Sequence, residues 1–169
     1  QLDKRRKVRT GKVMLYNSSS GRRMKHCNDW AHSILLKANQ YSDYNLQQCL
    51  FGLHLVVSEK SNKPIAIVES EKTACVMSIY EPDYIWLACG GLGSLSLKKL
   101  NPIKNREIIL YPDIDIQGEQ NPFFIWSLIT EKFNLLGFNL TVNDELEKIA
   151  TTHHRIKKLD IADFYLDKL

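Results

Sequence analysis

The apolar positions fall into two regimes that change near residue 62. Beyond it, Ile65-Ala66-Ile67-Val68, Tyr84–Ala88 and Glu107–Tyr111 are short, mostly apolar runs that read as strands buried on both faces, and Phe138–Val142, which alternates apolar and polar, reads as a fourth strand. Between them lie helical stretches: a run from Ser70 that stops before Pro82, Leu95–Leu100, and Pro122–Leu136, with another at Asp144–Thr152. Short apolar strands alternating with helices imply βαβ units. The expected fold class is therefore α/β, with a parallel sheet of about four strands flanked by helices. Before residue 62 the signals differ. Gly11–Asn17 and Arg22–His26 flank Ser18-Ser19-Ser20-Gly21, which predicts a hairpin. Trp30–Lys37 predicts a short helix, Asn39–Asp43 a polar loop, and Leu46–Glu59 a second helix on the spacing of Leu46, Cys49, Leu50, Leu53 and Val57, with Gly52 interrupting it. The expected organisation is a small α+β appendage over 1–61, an α/β domain over 62–143 and a helical tail over 144–169.

The chain has 169 residues, 44% hydrophobic and 25% charged, which suits one soluble domain with a small appendage. Its apolar runs fall short of the roughly 20 residues that span a bilayer, and no secretory leader opens it. A cytoplasmic protein with no membrane partner is expected. Four cysteines without a C-x-x-C pair suggest reduced, mostly buried thiols rather than a zinc site or disulfide framework. The chain begins at Gln, which reads as a piece of something longer.

Charge sharpens this picture. The net +4 is unevenly spread: residues 1–25 hold nine basic side chains against Asp3 alone, a net of +8, which leaves −4 on the other 144 residues. Clustered Lys and Arg point to a polyanion, nucleic acid first, with Arg22 and Arg23 of the hairpin among the candidate phosphate contacts.

In a parallel sheet the carboxyl ends of all strands share one edge, where such folds bind ligands. Glu69 follows the first strand, Gly90-Gly91-Leu92-Gly93 the second, and Asp113-Ile114-Asp115 the third. Residues i and i+2 of an extended segment project to the same side, so three carboxylates can converge there. Their mutual repulsion calls for a divalent cation, and hard oxygen ligands suit Mg²⁺ or Mn²⁺ with substrate phosphates completing the shell. Lys72, one turn into the following helix, is placed to reach a phosphate; the alternative is a surface lysine. Gly91-x-Gly93 shares part of a dinucleotide-binding turn, but it follows the second strand and would leave Glu69 without a purpose.

These residues resemble a Toprim domain, the metal-binding module of bacterial-type primases, type IA and type II topoisomerases and certain nucleases. The likeness rests on Ile65–Glu69 followed by a helix, a strand ending in Ala88-Cys89-Gly90-Gly91, and Ile108–Asp115 as an apolar strand with D-x-D. Leu50-Phe51-Gly52-Leu53 upstream is similar to the L-Y-G-L segment of bacterial primases, and the chain as a whole resembles primase-like Toprim proteins of Bacteroidetes mobile elements. The resemblance implies Glu69 as general acid/base or metal ligand, Asp113 and Asp115 as Mg²⁺ ligands, and Gly90 and Gly91 as the glycine turn. It further implies a primase-type nucleotidyltransferase in DNA replication, acting on a single-stranded DNA template and nucleotides beside a helicase or other replication protein. A catalytically silent DNA-binding accessory module and a small Toprim nuclease are the alternatives. The pattern departs at Ser70, where primases carry Gly, and at Ile116-Gln117-Gly118-Glu119, which adds an acid and no base where they carry Arg.

Overall fold

The computed structural model describes residues 1–21, 23–38, 45–58 and 62–166. Four parallel strands, β3 (Ile65–Val68), β4 (Ile85–Ala88), β5 (Glu107–Tyr111) and β6 (Asn139–Val142), form a sheet in the order β4-β3-β5-β6. The expectation of an α/β protein with a four-stranded parallel sheet is met. Every residue of β3 and β4 is buried, because helices cover both faces. The crossover from β3 to β4 runs through α3 (Glu71–Tyr80), over the face of Ala66, Val68, Trp86 and Tyr111. The crossovers through α4 (Leu97–Leu100) and α5 (Pro122–Asn134) cover the opposite face, where Ile65, Ile67, Leu87, Leu110 and Trp126 pack. Helices on opposite faces for opposite directions of travel are what a constant crossover hand produces.

Local chemistry sets the helix ends. The Ser70 hydroxyl accepts the Thr73 N–H at 3.1 Å and Glu71 places an acid in the first turn of α3. The Asn121 side chain caps α5 by accepting the Phe123 N–H at 2.8 Å, with Pro122 at the first helical position.

The hairpin is present as β1 (Lys12–Tyr16) and β2 (Arg23–Trp30), antiparallel, and leads into α1 (Ala31–Lys37). Arg22 and the loop predicted at Asn39–Asp43 lie outside the described residues.

The helix predicted from Leu46 is confined to α2 (Leu55–Ser58), and Glu59 lies outside the described residues. Phe51 instead bridges the free edge of β4: its N–H donates to the Ala88 carbonyl at 2.9 Å and its carbonyl accepts the Ala88 N–H at 3.2 Å. Gly52 then turns the chain at φ +79°, so close to β4 that an added Cβ would stand 3.0 Å from the Trp86 carbonyl oxygen. The apolar spacing there marks contact with the core, which Cys49, Leu50, Leu53 and Val56 share with the sheet. Past β6, the helix predicted at Asp144–Thr152 is α6 (Glu145–Ile149), and the helical tail continues as α7 (Thr152–Lys157) and α8 (Ile161–Leu166). Lys158 breaks the last two with a left-handed conformation, φ +52°. Cys49 and Cys89 are buried free thiols and Cys75 is an exposed one. Among the described residues no helix is long and apolar enough to cross a membrane.

Candidate active site

The chain leaves β3 toward β4 on one side and returns to β5 on the other, so a crevice opens at the carboxyl ends of β3 and β5. Glu69 and Asp113 flank it. Burial pushes the Glu69 carboxyl above its ordinary value; the backbone N–H groups of Asp113 and Leu92 oppose this, while the charges of Asp115 and Asp160 add to it. Its Oε1 is buried without a hydrogen-bond partner. Asp113 is pushed well above the usual carboxylate range, first by burial and then by the charges of Glu69, Asp160 and Asp163, with Lys72 pulling against them. The Glu69 charge raises Asp113 because ionising a second acid in a poorly solvated site costs more than holding a proton.

Asp115 is near enough for its charge to act on Glu69, but its carboxylate is already engaged. Its carboxylate takes the Lys158 ammonium at 2.7 Å and the Ile116 N–H at 2.7 Å, and Lys158 holds it below its ordinary value. Glu69 and Asp113 are thus brought together as expected, while Asp115 is engaged with a lysine. Among the described residues no three carboxylate, imidazole or thiol side chains converge closely enough to enclose a metal ion. An orphaned carboxylate oxygen beside a second raised acid nevertheless fits a divalent cation, which would satisfy both.

Residues beyond the predicted set complete the surroundings. Asp160, buried, accepts the Thr73 hydroxyl at 2.5 Å, and Thr73 in turn bonds the Ser70 hydroxyl at 2.8 Å. Asp160 and Asp163 cap α8 reciprocally, each backbone N–H donating to the other's carboxylate at 3.0 Å. The loop of Asp115 is clamped from α7: Arg155 donates to the Asp115 carbonyl at 3.1 Å and pairs with Glu147 at 2.7 Å. A base absent from the sequence after D-x-D is therefore supplied in space by Arg155 and Lys158. The spacing Asp160-x-x-Asp163 is legible as a helix start; that it lies against Asp113 is not, because the two breaks between α6, α7 and α8 decide the path.

The crevice opens into a cleft of about 370 Å³ between the hairpin, the start of α3 and the α7–α8 junction. Five cations line it, Lys12, Arg23, Lys72, Lys157 and Lys158, around Asp113, Asp160 and Asp163. Lys12 docks the hairpin: its Nζ lies 3.3 Å from Glu71 and 3.4 Å from the Gly90 carbonyl, over the Trp30 ring. Gly90 and Gly91 take φ +96° and +138°, which only glycine adopts readily. The Gly90 N–H is spent on the Glu69 carbonyl at 2.9 Å, fixing the backbone that carries the glutamate. Lys72 faces the cleft and lies 3.9 Å from Asp163.

Fold and cleft define an α/β protein with a parallel sheet whose carboxyl edge carries buried acids beneath a rim of lysines and arginines. The chain belongs to the family described as Domain of unknown function (DUF6371), whose profile matches residues 1–114. That span includes the hairpin, Glu69, Lys72, the glycine turn and Asp113. No curated protein and no solved structure matches the chain.

Proposed function

We propose that this chain carries a primase-like, Toprim-type site for Mg²⁺-dependent nucleotidyl transfer or phosphodiester chemistry on nucleic acid. The observation that carries the reading is the unpartnered, buried Oε1 of Glu69 beside the raised carboxyl of Asp113 at the sheet's switch point. A cation held by Glu69 and Asp113, with Asp115 joining, would neutralise charge developing on phosphoryl oxygens. Glu69, its carboxyl raised by burial, holds a proton more readily than an exposed glutamate and is suited to take and return one. Lys12, Arg23, Lys72 and Lys157 line the same cleft and match a phosphodiester backbone in charge. Template-dependent synthesis by a primase working with a helicase or other replication protein is the form the sequence resemblance favours. The engagement of Asp115 by Lys158 favours a second reading, a DNA-docking module without catalysis.

Incubating the protein with a single-stranded template, nucleotides and Mg²⁺ or Mn²⁺ separates these. Product that needs both the metal and Glu69 supports synthesis; metal-dependent cleavage of the template supports a nuclease. Template binding with neither product in wild type or Glu69→Gln would leave only the accessory reading.

A further inference from the structure

Residues 1–10, ahead of the hairpin, are folded, and they help build a second cationic hollow. Leu2 and Val8 bridge antiparallel, the Asp3 N–H donates to the Lys7 carbonyl at 3.1 Å, and the Arg6 N–H donates to the Asp3 carbonyl at 2.9 Å. The Asp3 carboxylate fills the loop. It accepts the backbone N–H groups of Arg5 at 2.8 Å and Lys7 at 3.0 Å, and the Arg9 guanidinium at 2.9 and 2.6 Å. Gln1 anchors the start, its amino group on the Thr10 carbonyl at 2.6 Å and its side-chain oxygen on the Cys49 N–H at 3.3 Å.

This loop holds Lys4, Arg5, Arg6 and Lys7 exposed side by side, with Arg6 at φ +59°, a conformation that disfavours any residue with a Cβ. A free terminus would spread four consecutive cations apart; here the fold gathers them, at a cost in repulsion and strain. A hollow of about 300 Å³ beside the loop is lined by Lys4, Arg5, Lys7, Arg9 and Lys98, with Asp3 as the one acid in its wall, an excess of four positive charges. Asp3 has no capacity left to offset them. Gln47 and Gln48 add neutral polar groups to the same wall.

We propose that this hollow, separate from the carboxylate cleft, grips the sugar-phosphate backbone of a single-stranded nucleic acid. The proposal rests on the nucleic-acid reading above and extends it to a second site. Concentrated cations that a single acid only partly offsets recognise a polyanion, and the excess of four calls for several phosphates rather than one. Proximity singles out a strand: Lys7 at the hollow and Lys12 at the wall of the cleft are five positions apart, at most about 18 Å along the chain, a span that a few nucleotides cover and a single phosphate does not.

The test is fluorescence anisotropy of a labelled thymidine oligomer with the whole chain, in chelator without metal, across a series of KCl concentrations. Arg5→Ala/Lys7→Ala removes two cations from the hollow while their backbone bonds to Asp3 remain, so the loop stays folded. Lys132→Ala/Lys148→Ala, on α5 and α6, removes the same charge elsewhere. The loop variant is expected to bind about tenfold more weakly and to lower the slope of log affinity against log salt by about 1.4, from roughly 0.7 per single-strand phosphate contact. The control is expected to keep the wild-type slope. A loop variant indistinguishable from the control overturns the second site, and leaves the carboxylate reading standing if metal- and Glu69-dependent product forms. Wild type that ignores the oligomer but binds vesicles of anionic lipid also overturns it, in favour of a membrane surface. Loss of oligomer binding confined to the loop variant, with Glu69→Gln binding normally, supports the hollow whatever becomes of the chemistry.

Discussion

Asp113→Asn should make the metal-free protein more stable. Asp113 is partly buried at the wall of the cleft among Glu69, Asp160 and Asp163, and desolvation with these charges holds its carboxyl well above the ordinary range. A carboxyl whose folded value lies above its unfolded value binds its proton more tightly in the native state. Stability is then highest at low pH and falls as pH rises from the unfolded value through the folded one, because the native state must lose a proton it favours. Asparagine keeps the shape and removes the charge. Relieving an uncompensated buried charge is worth on the order of 2 kcal/mol. For a chain of this size each kcal/mol moves the melting temperature by about 2–4 °C, so the gain at pH 8 is about 4–8 °C. It should shrink toward zero near pH 4. The assay is a melting series from pH 4 to 9 in chelator, repeated with excess Mg²⁺, which should raise the wild type and leave Asp113→Asn unmoved. A variant no more stable than wild type at pH 8, or one whose gain is the same at every pH, would refute the argument that repulsion among these acids is stored for a ligand.

Three further outcomes follow from the same contacts. Gly52→Ala places a Cβ 3.0 Å from the Trp86 carbonyl oxygen in a left-handed backbone, and should lower the urea midpoint by the equivalent of about 2–3 kcal/mol; a loss under about 0.5 kcal/mol would show that the chain does not need this turn. Thr73→Val leaves Asp160 without its hydroxyl donor and should cost about 1–3 kcal/mol in the same measurement, while Ser78→Ala, an exposed hydroxyl on the same helix, should cost almost nothing. Lys158→Ala breaks an ion pair whose lysine is 63% exposed, so the stability loss should stay under about 1 kcal/mol. Carboxyl NMR should show Asp115 titrating closer to the ordinary value in that variant, and an unchanged titration would mean that Lys158 does not hold it down.

The sheet was legible because its signal is local. Ile65–Val68, Ile85–Ala88 and Ile108–Leu110 are apolar without alternation, and only a strand covered on both faces needs that. Glu69 and Asp113 were legible for the same reason: strand ends of a parallel sheet share an edge whatever the loops do. Residues 46–54 misled because Leu50 and Leu53 show helical spacing, while Gly52 and a single bridge from Phe51 to Ala88 fix an extended step that depends on the tertiary position of β4. The α7–α8 wall was illegible at longer range. Nothing near Lys158, Asp160 or Arg155 in sequence announces that they reach back about 40 residues to the D-x-D loop, and the Leu159 carbonyl accepting the Ile114 N–H at 2.9 Å is visible only once folded. No element was legible in the basic first ten residues, yet they close into a loop because the Asp3 carboxylate accepts from Arg5, Lys7 and Arg9.

The central claim, that Glu69 and Asp113 with Asp115 await a cation, is tested most directly by calorimetric titration of Mg²⁺ and Mn²⁺, with a nucleoside triphosphate present to supply phosphate ligands, into wild type and Asp113→Asn/Asp115→Asn. Saturable binding by the wild type, with its heat lost in the double variant, is the expected result. Identical titrations of the two proteins, whether both bind or neither does, would contradict the account.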